Sequence, residues 1–260
     1  SAGAFARAGV GRRWFWVAAA VLVVVAAGVG GWRWWTHRGF VEYRMLRETD
    51  IPTAVAVAPD GTVWFTIELA DAIGRLRDGR IERLPKGKQN VEPMGLAVDA
   101  EGNAWFTDSP ARAISRISPA GAITSYPLAT PIARLARLAL APDGAVWFAD
   151  GTTFSITRLK EGVFTRHELS SFRASPFGVA VDRQGTAWAT LQNVNRLARI
   201  APGGELAEID VPTRASNPTD VAVDASGAVW FLEFRANKVG RYAEGRFTEF
   251  KVPTPRAGLT

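Results

Sequence analysis

Residues 54–65 read AVAVAPDGTVWF, and the same frame returns four times: GLAVDAEGNAWF at 95–106, RLALAPDGAVWF at 137–148, GVAVDRQGTAWA at 178–189 and DVAVDASGAVWF at 220–231. The tryptophans of this frame, Trp64, Trp105, Trp147, Trp188 and Trp230, are separated by 41, 42, 41 and 42 residues. A glycine stands three residues before each of them (Gly61, Gly102, Gly144, Gly185, Gly227). An arginine stands eleven residues after each (Arg75, Arg116, Arg158, Arg199, Arg241). A fixed period of this length marks a repeat architecture, in which each unit buries its apolar face against the next.

Working outward from the frame, each unit reads as four short strands. An alternating apolar segment such as 55–57 leads to an Asp-Gly-type turn, which favours a tight hairpin. The Trp strand follows, then a strand ending in the Arg (AIGRL, AISRI, SITRL, RLARI, KVGRY), a second turn, and an outer strand such as RFTEFKV. Four strands in about 40 residues is the period of a β-propeller blade. The fold expected is an all-β propeller of four-stranded blades, five of them visible and part of a six- or seven-bladed ring, preceded by one transmembrane α-helix. The repeats are set at 51–90, 91–131, 132–173, 174–215 and 216–255. The recurring Trp is expected to fill the wedge between blades, and the Arg to pair with turn carboxylates or carbonyls. Residues 40–46, FVEYRML, match an outer strand at the end of a 36–50 linker. Because 252–260, VPTPRAGLT, parallel VPTRASNPT at 211–219, which leads into the inner strand of the fifth unit, the natural chain is expected to continue for one or two more blades.

The composition is uneven along the chain. Five of the 31 Lys and Arg (Arg7, Arg12, Arg13, Arg33, Arg38) lie in residues 1–39 without an acid; the other 26 face all 25 Asp and Glu. The propeller region is thus nearly neutral, with no cationic cluster able to displace phosphate counterions, and nucleic-acid binding is excluded. The absence of Cys removes disulfides, thiolate metal sites and Cys nucleophiles. Residues 14–32, WFWVAAAVLVVVAAGVGGW, run 19 residues without a charge. As a helix they span about 28 Å, near the thickness of a hydrocarbon core. Trp14 and Trp16 at one end and Trp32, Trp34 and Trp35 at the other fit the headgroup boundary, flanked by arginines. The reading is a 13-residue tail, a transmembrane helix over 14–35 in a bacterial inner membrane, and a propeller on the periplasmic side. A cleaved signal peptide, with Val25 and Ala27 at its small-residue site, is the rival reading, and the apolar run is long for it. Ala26, Gly30, Ala27 and Gly31 provide small-xxx-small spacing for packing on a partner helix. The partners expected are the lipid bilayer and other integral-membrane subunits.

The frame of residues 218–255, PTDVAVDASGAVWFLEFRANKVGRYAEGRFTEFKVPTP, resembles the repeat of the virginiamycin B lyases, the streptogramin lyases, and the resemblance extends over 40–260. It implies a seven-bladed propeller that linearises cyclic streptogramin antibiotics by elimination, with Mg2+. It also implies catalytic His residues directly after the Pro that opens particular inner strands. The matching positions here are Thr53, Met94, Ala136, Phe177 and Thr219. Of the metal-binding glutamates that the family implies, Glu92 is kept. The second corresponds to Ser109 in that repeat, and only Glu68, in another repeat, fits its position.

Elimination needs a base that lifts a proton near neutral pH, and neither Met nor Thr does so. There are two His in the chain: His37 lies beside Trp35 just past the apolar run, and His167 lies in FTRHEL, an outer strand. Asp108, Asp150 and Glu233 follow the repeat Trp at one offset and suggest a carboxylate ring at one mouth of the channel. No Ser/His/Asp set, phosphate loop or haem motif is present. These departures lead to the expectation of a non-catalytic, membrane-anchored accessory subunit of a multi-subunit complex, photosynthetic or respiratory, with no catalytic residue, cofactor or metal. The alternatives are a diverged lyase or hydrolase acting at the propeller axis, and a tethered small-ligand receptor.

Overall fold

The glycine of the repeated turn determines how each unit folds back. Gly61, Gly102, Gly144, Gly185 and Gly227 all take φ between +80° and +85°, a region that costs a residue with a Cβ and not glycine. The turn closes on itself in the first unit through Gly61 N donating to Ala58 O at 2.9 Å and Ala58 N donating to Thr62 O at 2.8 Å. The segments flanking these turns alternate Val, Ile and aromatic residues with polar ones and pair as strands.

The structure, a computed structural model, describes residues 41–90 and 94–259, with only the backbone for 88–90. Blade 1 is β1 (Ile51–Val57), β2 (Val63–Glu68), β3 (Ala70–Arg77) and β4 (Arg80–Asn90). Blade 2 is β5 (Leu96–Val98), β6 (Ala104–Asp108), β7 (Ala113–Ile117) and β8 (Ile123–Pro127). Blade 3 is β9 (Leu135–Leu140), β10 (Val146–Asp150), β11 (Ser155–Lys160) and β12 (Val163–Glu168). Blade 4 is β13 (Pro176–Val181), β14 (Ala187–Leu191), β15 (Arg196–Ile200) and β16 (Leu206–Asp210). Blade 5 is β17 (Pro218–Val223), β18 (Val229–Glu233), β19 (Lys238–Ala243) and β20 (Arg246–Lys251). Each blade is an antiparallel meander in sequence order. The five sheets are the four-stranded blades that the repeat predicts, and they lie in the unit Met45–Thr260.

The first strands of successive blades neighbour one another in the order β1, β5, β9, β13, β17; no contact of that extent joins β17 to β1 among the described residues. The core sits in the joints. Trp64 packs on Ala104, Phe106 and Ile117 of blade 2, and Trp105 packs on Leu138, Val146 and Phe148 of blade 3. Trp147 meets Ala187, Ala189 and Ile200 of blade 4, and Trp188 meets Val221, Val229 and Phe231 of blade 5. The repeat Trp thus fills the wedge to the following blade. Its ring is capped within its own blade by the repeat Arg, whose guanidinium carbon lies 5.3 Å from the Trp64 ring, 5.5 Å from Trp105, 6.0 Å from Trp188 and 5.7 Å from Trp230. An outer-strand ring also stacks on the Trp within the blade: Tyr126 on Trp105 at 5.6 Å, His167 on Trp147 at 5.3 Å and Phe250 on Trp230 at 5.9 Å. Arg158 turns to Asp143 at 2.5 Å. Partial burial alone raises the Asp143 carboxyl, but the Ala145 amide, Lys160 and Arg158 outweigh it and hold it at about 2.

The transmembrane helix over 14–35 lies outside the described residues. Among those described, no helix is long and apolar enough to cross a membrane. The outer strand expected at 40–46 does not form over its described part: 41–45 have no regular structure and 46–49 turn. An outer strand needs a free sheet edge, and in blade 1 the edge of β3 is taken by β4. Met45 instead packs on the cluster of Phe65, Ile67 and Ala70.

Candidate functional site

The start of each inner strand and the end of its Trp strand meet at one end of the blade. The pairs Pro52 with Ile67, Leu135 with Asp150, Pro176 with Leu191 and Pro218 with Glu233 establish this register. Side chains singled out in different units therefore converge on the same face. A cleft of about 1010 Å³ opens there across blades 2, 3 and 4, and Met94, Ala136 and Phe177 line it. These are three of the five positions where the family resemblance implies histidine. Of the other two, Thr53 shares a hydroxyl hydrogen bond with Thr66 at 2.8 Å, and Thr219 donates to Leu259 O at 3.0 Å.

Arg137 organises this end of the axis, and the sequence reading did not single it out. It extends from β9, donates through Nη1 to Met94 O at 3.2 Å, and faces Asp220 of β17 at 3.8 Å. Its guanidinium carbon lies 5.9 Å from the Phe177 ring. One side chain of blade 3 thus touches blades 2, 4 and 5. A signal was present. The first residue of the repeated frame is Ala54, Gly95, Arg137, Gly178 and Asp220, so the two long polar residues at an otherwise small position are the two that meet. The position is small for a physical reason: a Cβ on Gly95 would lie 2.7 Å from Ala136 O, and one on Gly178 would lie 2.6 Å from Thr219 O.

The three carboxylates at the common offset from Trp are all buried, and they do not form a ring of like groups. Asp108 is held by Lys86 of β4 at 3.0 Å, with side chains 3% and 1% exposed. A buried pair of this kind needs both partners. Asp150 staples its own loop, accepting from Thr152 N at 2.8 Å and from Thr153 Oγ1 at 2.7 Å. Among the described residues Glu233 has no hydrogen-bond partner for either oxygen. Burial and then the neighbouring Glu249 carboxylate push its pKa up, against weaker effects of Ser216 and Lys238. The Ser216 hydroxyl is itself committed to Asn195 Oδ1 at 2.9 Å, and Lys238 donates to Glu249 at 2.6 Å.

His167 sits on β12, an outer strand, against Trp147. Burial, with Arg158 nearby, lowers its pKa against the opposing effect of Gly204; it is a packing residue of the joint. His37, Trp14, Trp16, Trp32, Trp34, Trp35, Ala26, Ala27, Gly30 and Gly31 lie outside the described residues, as does Glu92. At the second position implied for a metal, Ser109 accepts from Leu135 N at 3.1 Å. Glu68 lines a separate cavity of about 580 Å³ with Asp50, Asp71 and Arg83. Among the described residues, which do not include Glu92, no group of three or more His, Asp or Glu is placed to hold a metal ion.

The sequence profile of the Virginiamycin B lyase family matches residues 24–258. A virginiamycin B lyase of Nocardia farcinica is 33% identical over 163 residues, which is 62% of this chain and 56% of that protein. The match thus spans little more than half the length of that relative. Among solved structures, a catalytically inactive His-to-Ala variant of virginiamycin B lyase from Staphylococcus aureus with quinupristin superimposes with a TM-score of 0.79 at 30% identity. It covers 84% of this chain and 75% of that one. A streptogramin B lyase structure gives a TM-score of 0.80 at 29% identity, over 84% and 74%. The relatives are enzymes, and this overturns the expectation of a non-catalytic accessory subunit. That expectation rested on missing histidines at five positions, and the loss of one residue type is weaker evidence than likeness along the whole repeat.

Proposed function

The chain belongs to the virginiamycin B lyase family, and from that membership we propose that it is an enzyme, a lyase that opens a cyclic ester or depsipeptide at the axial cleft. The observation that carries the reading is the convergence of Met94, Ala136 and Phe177, matched to the family's catalytic positions, on one cleft of about 1010 Å³. In such an elimination the proton on the carbon next to a carbonyl passes to a base, and no Asp, Glu, His or Lys lines the cleft among the described residues. The C–O bond on the neighbouring carbon breaks, a C=C bond forms, and the acyl oxygen leaves as a carboxylate. Met94, Ala136 and Phe177 carry no group that takes a proton, so their part is to bind and orient: a thioether, a methyl and a ring form an apolar wall. Arg137 holds Phe177 and the Met94 carbonyl in register from behind, the kind of support that keeps a reacting bond aligned.

The reading includes a tether. The uncharged run 14–32 and its flanking tryptophans support a bilayer anchor over 14–35 with the propeller on the periplasmic side. Retention of the full chain in the membrane fraction after carbonate extraction is the expected result.

Incubation of the full chain with quinupristin, followed by chromatography and mass spectrometry, tests the activity. Ring opening by elimination shifts retention at unchanged mass, whereas hydrolysis adds the mass of one water. Unaltered quinupristin together with an unaltered panel of cyclic depsipeptides sinks the lyase reading.

A further inference from the structure

The same cleft carries charges of one sign. Arg112, Arg134 and Arg173 line it, and no Asp or Glu does so among the described residues. Elsewhere in the blades, Arg75 meets Glu82, Arg83 meets Asp50 and Asp71, Arg158 meets Asp143, and Arg196 meets Glu208 and Asp210, while Arg116, Arg199 and Arg241 lie over tryptophan rings. None of the three cleft arginines forms an ion pair within the described residues. Arg112 donates only to the Thr130 carbonyl, at 3.3 Å, and Arg173 lies over the Phe172 ring at 5.5 Å. The wall between them is apolar and open: Phe172 is 70% exposed and Ile132 58% exposed, with Phe177 deeper in the same cleft. All three arginines are exposed, so an anion in the cleft reaches them without displacing a protein carboxylate. A guanidinium fork matches a carboxylate in geometry as well as in charge.

We propose that this cleft binds a small organic acid, an aromatic or comparably flat apolar body carrying a carboxylate, with the body on Phe172, Ile132 and Phe177 and the carboxylate on Arg134 and Arg173. The inference rests on the lyase reading in one respect: a carboxylate is the group that elimination at an ester sets free, so the arginines neutralise the charge that develops on the leaving oxygen. Its binding content stands apart from turnover.

The test uses two probes of one shape, 2-naphthoate and its neutral isostere 2-naphthamide, titrated into the full chain by ligand-observed NMR. The naphthoate is expected to bind about tenfold more tightly than the amide, the value of a charge-assisted contact. Arg134→Gln with Arg173→Gln should abolish that preference while leaving amide binding unchanged. Phe172→Ala should weaken both probes together. Equal affinity for the two probes, or a preference that survives the double substitution, overturns the inference. Both substitutions are at the surface of the cleft; native unfolding curves for the variants show that a lost preference is not lost folding. A preserved preference without ring opening of any depsipeptide leaves the organic-acid site standing and removes the lyase reading. Ring opening without the preference does the reverse.

Discussion

The joints between blades and the cleft at the axial end are built from the same repeat, but they use its positions in opposite ways. In the joints every unit contributes the same residue to the same task. Trp64, Trp105, Trp147 and Trp188 each enter the next blade; the repeat Arg lies over Trp64, Trp105 and Trp188, and an outer-strand ring stacks on Trp105 and Trp147. At the axial end the equivalent positions differ from unit to unit: Thr, Met, Ala, Phe and Thr after the strand start, and Ile, Asp, Asp, Leu and Glu at the strand end. A joint faces an equivalent neighbour each time, so one solution serves all. The axial end faces whatever the protein binds, so uniformity has no advantage there. Substitutions in the joints should therefore cost stability and spare binding, and those in the cleft should do the opposite.

The largest break in this contrast is Trp64→Ala. Trp64 is 1% exposed, and its removal is expected to cost about 4 kcal/mol in urea unfolding, with naphthoate affinity of the folded protein unchanged. A parallel fall in affinity would show that joint and cleft are one cooperative unit. Next is Gly240→Ala, where a Cβ would lie 2.2 Å from the Phe231 ring that covers the glycine. Overpacking there is expected to cost about 3 kcal/mol, partly recovered by Phe231→Leu in the same chain, as seen in thermal unfolding.

Glu233 sharpens the comparison, because its counterparts in blades 1 and 4 are Ile67 and Leu191, both fully buried. With a folded pKa above its unfolded value, Glu233 contributes stability that is fully present below about 4.5 and lost as pH rises through the folded pKa. Glu233→Leu is therefore expected to gain about 2 kcal/mol at pH 7 and progressively less as pH falls toward 4, measured by denaturant titration across that range. A gain that is flat with pH would mean that the carboxyl is not the source of the cost. The smallest effect on stability is Phe172→Ala, within about 0.5 kcal/mol by thermal unfolding because the ring is already largely in water. Its loss should nevertheless register in probe binding.

Much of the fold was legible without coordinates. The Asp-Gly-type turn, the spacing of Trp64 to Trp230 and the four-strand pattern are local, and each determines its own geometry. The site was legible only in outline. Met94, Ala136 and Phe177 could be found through the positions that the family resemblance implies for histidine, but that they share a cleft depends on three blades coming together. Asp108, Asp150 and Glu233 looked equivalent by offset and are not, because Lys86 reaches one of them from β4, a loop hydroxyl satisfies the second, and no described residue hydrogen-bonds the third. Arg137 was overlooked, although its departure from Ala54, Gly95 and Gly178 at the same position was visible. The weight given to absent histidines was too great, since the frame itself carries the family.

By itself the sequence determined the repeat, the strands within each unit, the wedge role of tryptophan and the kinship with the streptogramin lyases. These are properties of one unit or of one unit against its successor, and a period of 41 or 42 residues writes them out five times. Only the tertiary structure decided that Arg137 meets Asp220, that Lys86 neutralises Asp108, and that three unpaired arginines surround an apolar cleft. Those partners come from different blades at different depths, and no spacing along the chain specifies which side chains the curvature of the arc brings face to face.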